Sequence, residues 1–93
     1  MSERMTLRIY GQVQGVNFRY LTCEYARTLG LCGYVKNELD RSVTVVAEGE
    51  KKHLQELLHF CYNGIRYAQI EDINIKYGKM RNEFMGFDII YLR

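Results

Sequence analysis

Hydrophobic and polar positions alternate along several short stretches of the chain, and between them the apolar residues fall on helical spacings. From Met5 to Val13, the apolar Met5, Leu7, Ile9 and Val13 lie on one side, with Thr6, Arg8, Tyr10 and Gln12 on the other. A period of two predicts a half-buried strand. Phe18, Leu21, Tyr25, Ala26 and Leu29 then share one helical face, with Gly30 where a C-terminal cap belongs. Cys32 to Asn37 reads as a second strand, Glu38 to Arg41 as a polar turn, and Val43, Val45 and Ala47 as a third strand ending at Gly49. Leu54, Leu57, Leu58, Cys61 and Tyr62 mark a second helical face, closed by Gly64. Ile73, Ile75 and Tyr77 alternate as a fourth strand, and Phe87, Ile89 and Tyr91 as a short last one.

The order strand, helix, strand, strand, helix, strand is that of a split βαβ arrangement. It predicts an α+β ferredoxin-like βαββαβ sandwich with one extra C-terminal strand. Its two helices pack on one face of an antiparallel-type sheet. The fold hosts many unrelated functions and decides no chemistry. With 93 residues the chain is expected to form a single domain over 1–93. Thirteen Lys and Arg against eleven Asp and Glu leave a net charge of +2, too weak a bias to argue for nucleic acid or a membrane surface. The polar Met1-Ser2-Glu3-Arg4 start has no apolar signal core, and no apolar run approaches membrane-spanning length. The expected location is therefore the cytoplasm. Cys23, Cys32 and Cys61 are odd in number and lack Cys-x-x-Cys spacing, as expected of reduced thiols.

The run Gln14-Gly15-Val16-Asn17-Phe18-Arg19 joins the first strand to the first helix. A glycine before a helix start lets successive amides turn toward one spot, where the helix N-terminus adds unpaired N–H groups and partial positive charge. Arg19 falls in the first helical turn, where a cation meets the unfavourable end of the macrodipole. A bound anion would reverse the sign of that interaction, and the guanidinium fork suits a phosphate. On spacing alone, a surface arginine beside an ordinary strand-to-helix turn fits the same residues. No Gly-Lys-Ser/Thr follows, so the run is not a nucleotide-binding P-loop.

The run GQVQGVNFR, Gly11 to Arg19, resembles the first signature of the acylphosphatase family, and GYVKN, Gly33 to Asn37, resembles its second. ARTLGL, Ala26 to Leu31, is also similar to the family pattern. The resemblance covers nearly the whole chain. It implies a hydrolase of acyl phosphates without cofactor or metal, in which Gln14, Gly15, Val16, Asn17 and Phe18 supply phosphate-binding amides. The resemblance further implies that Arg19 holds the phosphate and that Asn37 orients the attacking water. Inorganic phosphate or sulfate is expected to compete, and the chain to act as a monomer. Three positions depart from the family pattern: Tyr34 stands where tryptophan is usual, Arg41 where glycine is common, and Ile65-Arg66 lack the proline often found there.

The chemistry such a site needs is modest. The leaving group is a carboxylate, which departs unprotonated, so neither a general acid nor a metal is required. Positioning and charge remain, and these dominate phosphoryl transfer. Asn is apt for a water because its amide both accepts and donates. Other sites fare worse. His53 and His59 point roughly 120° apart on one helix, and Cys61 faces away from His59. Glu50 reads as favouring a helix start, with Glu48 two residues before it. An RNA-binding module of the same strand order would carry aromatic and basic residues on its third strand. Here that strand reads SVTVVAEG. A non-catalytic phosphate- or ligand-binding domain of the same fold is the alternative that a hydrolysis assay separates.

Overall fold

A computed structural model of the chain describes residues 1–91. Seven elements follow in order: β1 (Ser2–Gln12), α1 (Phe18–Thr28), β2 (Cys32–Asn37), β3 (Val43–Glu50), α2 (Lys51–Asn63), β4 (Gln69–Gly78) and β5 (Phe87–Ile90). The strands form one sheet in the order β4-β1-β3-β2-β5. The pairs among β1 to β4 are antiparallel, and β5 adds to β2 in parallel, so the extra strand makes the sheet mixed. Tyr91 lies just past the end of β5 rather than within it.

The period-two pattern of β1 places Met5, Leu7 and Ile9 fully inside, against Val43, Val45 and Ala47 of β3 and the helices. In α1 the deepest residues are Phe18, Thr22, Cys23 and Ala26. The expected Leu21, Tyr25 and Leu29 flank that face, half-buried. Tyr25 stacks on Phe60 of α2 with ring centroids 4.2 Å apart, joining the helices through aromatic contact. In α2, Leu54, Leu57 and Cys61 are buried and Leu58 half-buried, whereas Tyr62 faces outward. Gly30 follows α1 at φ 71, the left-handed conformation expected of a C-terminal glycine, and Gly64 caps α2 in the right-handed region.

Strand β3 departs from simple alternation. Thr44, Val46 and Glu48, on the face away from the helices, are buried as well. The cause at one end is the segment 79–86 between β4 and β5, which folds back over the sheet. Glu48 accepts hydrogen bonds from Arg4 Nε (2.7 Å) and from the backbone N–H groups of Arg81 (2.8 Å) and Asn82 (3.1 Å). Phe84 meets the edge of Tyr34, and Gly33 N–H donates to the Gly86 carbonyl at 2.9 Å. Gly33 itself has φ 147, and a Cβ there would sit 1.8 Å from the Val46 carbonyl oxygen, so no other residue fits this strand crossing.

Candidate active site

The ends of β1 and β2 and the start of α1 meet at one edge of the sandwich. Between β1 and α1 the chain takes the left-handed conformation twice, at Gly15 (φ 78) and Asn17 (φ 66). A Cβ at Gly15 would meet nothing within 4 Å, so glycine serves the backbone angle there and not a tight fit. Asn is among the few residues that accept the left-handed region at modest cost. Asn17 occupies the N-cap of α1 without a capping side-chain bond, and the first turn holds no acidic residue. The Leu21 amide donates to the Asn17 carbonyl at 3.0 Å. The amides before it, Phe18 to Tyr20, therefore have no partner within the helix. This is an electropositive, donor-rich terminus.

A cleft of about 330 Å³ opens here, lined among others by Gly15, Asn17, Arg19, Asn37, Ile89 and Tyr91. Arg19, the second residue of α1, is half-buried, and among the described residues it forms no ion pair. Its guanidinium carbon lies 5.1 Å from the centre of the Tyr91 ring, which holds it by cation–π attraction. Asn37 is the last residue of β2, paired with Val43 of β3. Its side-chain oxygen is buried and accepts no hydrogen bond among the described residues. Such an acceptor is costly unless something that enters the cleft donates to it.

Of the expected site residues, Gly15, Asn17, Phe18, Arg19 and Asn37 converge on this cleft. Phe18 does so with its edge only, since its ring is an anchor of the core with 1% exposure. Gln14 and Val16 do not line it. The Val16 side chain packs on the core, and Gln14 turns toward the β2–β3 turn, where its side-chain amide donates to the carbonyls of Glu38 and Ser42. Tyr20, Ile89 and Tyr91 complete the cleft and were not foreseen. For Ile89 and Tyr91 no local signal marks them, because it is the parallel pairing of β5 with β2 that brings the C-terminal end of the last strand beside Asn37.

The other titratable groups lie elsewhere. The Cys61 thiol is buried, and burial pushes its pKa up to about 12 while the Thr22 hydroxyl pulls weakly the other way, so it is no ready nucleophile. His59 is exposed, and His53 Nδ1 lies 3.9 Å from Glu50. Among the described residues no three His, Cys, Asp or Glu side chains are grouped as a metal site, and no helix is long and apolar enough to cross a membrane.

The acylphosphatase family model matches residues 5–89, which spans both signature runs and ends within β5. The chain belongs to the acylphosphatase family. It is 38% identical over 89 residues to an acylphosphatase of Caldanaerobacter subterraneus, covering 96% of this chain and 99% of that one. It is 41% identical over 83 residues to an acylphosphatase of a Roseiflexus species, with 89% of each covered. The crystal structure of acylphosphatase from Bacillus subtilis superposes with a TM-score of 0.91 at 32% identity, covering 98% of this chain and 100% of that one. Acylphosphatases are enzymes that hydrolyse acyl phosphates, and the fold and the family assignment agree with the sequence reading.

The three departures from the acylphosphatase pattern all fall outside the cleft. Tyr34 packs edge-on against Phe84 at 5.8 Å. Ile65 is buried under the end of α2. Arg41 carries a backbone φ of 74, the region glycine would occupy without strain.

Proposed function

We propose that this chain hydrolyses acyl phosphates in the cleft between the Gly15 loop and Asn37, without a metal or cofactor. The amides of the 14–18 loop and the Arg19 guanidinium hold the phosphoryl oxygens. Asn37 orients a water whose oxygen attacks phosphorus. The bond from phosphorus to the acyl oxygen breaks, the carboxylate leaves with the electron pair, and the products are a carboxylate and inorganic phosphate, whose oxygens keep both protons of the water. No protonation of the leaving group is needed, which fits a cleft whose central side chains are Arg19 and Asn37. The observation that supports the division of roles is the side-chain oxygen of Asn37, buried and without a hydrogen-bond partner among the described residues, on a residue that lines the same cleft as Arg19. An acceptor so placed suits a water, and a phosphate, itself an acceptor, would be repelled by it.

Inorganic phosphate and sulfate fit the same donors and should act as competitive ligands. The reading extends to a single-domain monomer in the cytoplasm, where the three unpaired cysteines are at home. Steady-state hydrolysis of benzoyl phosphate tests the core of it. Activity should survive exhaustive EDTA treatment, with phosphate raising KM and leaving kcat unchanged. Complete loss with EDTA, restored by added metal, would overturn the mechanism.

A further inference from the structure

The two halves of the cleft come from strands that do not touch. Strand β3 lies between β1, which leads into the phosphate loop, and β2, which ends in Asn37. Two strand spacings separate their axes, about 10 Å. Something must fix the loop against Asn37, because displacing a reacting group by about 1 Å can cost about 100-fold in rate.

From the phosphate loop, the Gln14 side chain reaches across the gap. Gln14 Nε2 donates to the Glu38 carbonyl at 2.9 Å and to the Ser42 carbonyl at 3.0 Å. The same two carbonyls close the β2–β3 turn: Glu38 N–H donates to Ser42 O at 2.8 Å, and Arg41 N–H donates to Glu38 O at 3.2 Å. The Gln14 amide therefore sits at the neck of the turn, one peptide beyond Asn37. Both of its N–H bonds are used, on two acceptors, which no other side chain of that length supplies without charge. A carboxylate at position 14 would set its lone pairs against both carbonyls. From the opposite side the turn is braced by Arg8, which donates to Ser42 Oγ and, at 3.1 Å, to Asp40.

We propose that Gln14 is a positioning residue, acting through Asn37 by clamping the phosphate loop to the end of β2. The proposal rests on the roles given above to Arg19 and Asn37. The Gln14 side chain does not line the cleft, so its removal should move Asn37 relative to the cradle and leave the cradle's amides and Arg19 in place.

The test is a double-mutant cycle of Gln14→Met with Asn37→Ala, measuring kcat on benzoyl phosphate and the inhibition constant of inorganic phosphate. Gln14→Met keeps the side chain's length and removes both donors. The expected result is a fall in kcat of about 10- to 100-fold with phosphate inhibition changed less than about threefold. In the Asn37→Ala background the same change should have almost no further effect on kcat. Unchanged kcat in Gln14→Met, or losses that simply multiply in the double variant, would overturn the clamp, as would a loss carried wholly by phosphate affinity. Should Gln14→Met not fold, Gln14→Asn keeps both donors one methylene short, and the same cycle applies. The single variants Asn37→Ala and Arg19→Gln serve as controls: near-normal activity in either would mean that the assigned roles have failed, and not the clamp.

Discussion

Arg19 stands where the physics of an isolated helix disfavours it, in the first turn, with no acidic residue beside it. Its compensation within the protein is the Tyr91 ring. Taking the cation away from the helix N-terminus gains about 0.3–1 kcal/mol, and losing the ring contact costs about 0.5–1 kcal/mol. Arg19→Gln should therefore melt within a few degrees of the parent. Its kcat/KM should fall by at least about 10²–10³, the usual cost of losing one preorganised donor at a developing charge. Arg19→Lys keeps the charge without the fork and should recover only a small part. Melting curves beside kinetics decide it, and a folded Arg19→Gln enzyme with near-normal kcat/KM would end the assignment. The neighbouring Gly15 offers a second measurement. Ala at φ 78 is strained by about 1–2 kcal/mol, with no clash to add. Gly15→Ala should relax the loop and raise the inhibition constant of phosphate more than it lowers kcat.

At the scale of elements, strand alternation and the two helical faces were legible, because each is a local pattern repeated several times. In the Gly15 to Arg19 loop the residues themselves leave an anion cradle and an ordinary turn both open, and Arg19 and Asn37 receive their roles only from the resemblance of the two runs to the family signatures. What was not legible depends on contacts distant in sequence. Thr22 and Cys23 lie at the centre of the α1 face, while Tyr25 at its flank stacks on Phe60 of α2. The burial of Glu48 depends on segment 79–86, whose amides reach it from more than thirty residues away. The cleft walls Ile89 and Tyr91 are set by the parallel docking of β5, and the Gln14 clamp by a turn more than twenty residues away. Arg41 in the β2–β3 turn shows how a departure from the family pattern outside the cleft costs stability. Arg41 holds φ 74, a conformation that costs a non-glycine residue about 1–2 kcal/mol. Arg41→Gly removes that strain and adds about 0.5–1 kcal/mol of unfolded-state entropy. The net expectation is a gain of up to about 1.5 kcal/mol with kcat unchanged, since glycine keeps the N–H that donates to the Glu38 carbonyl. A melting temperature below that of the parent would show that the Arg41 side chain contributes more than its backbone strain costs.

Across the whole molecule, the proposed active-site cleft and a major electrostatic brace occupy opposite ends of the sheet. Arg4 and Glu48 pair at the start of β1, about 25 Å along the strand from the loop at its other end. Glu48 is buried, and burial alone would raise its pKa. The hydrogen bonds from the Arg81 amide, Arg4 and the Asn82 amide outweigh that and hold its carboxyl below the ordinary value of 4.5. A carboxyl with a lower pKa folded than unfolded stabilises the fold at every pH above the unfolded value. That contribution disappears as pH falls through the folded value. The melting temperature should accordingly drop as pH is lowered from about 5 toward 2, and part of the drop should belong to Glu48. Glu48→Leu leaves the Arg4 guanidinium and two backbone donors without an acceptor, a loss of about 3–5 kcal/mol. For a domain of this size each kcal/mol moves the melting temperature by roughly 4–8 °C, so the variant should melt at least about 12 °C below the parent. Its acid sensitivity between pH 5 and 2 should be visibly flatter. At 25 °C and neutral pH the folded fraction should show near-parental KM and kcat on benzoyl phosphate, because neither Arg19, Asn37 nor the Gln14 clamp touches this brace. Comparable losses of stability and of kcat per folded molecule would mean that the two ends of the sheet are coupled. An undiminished acid slope in the variant would assign the acid sensitivity to other carboxylates.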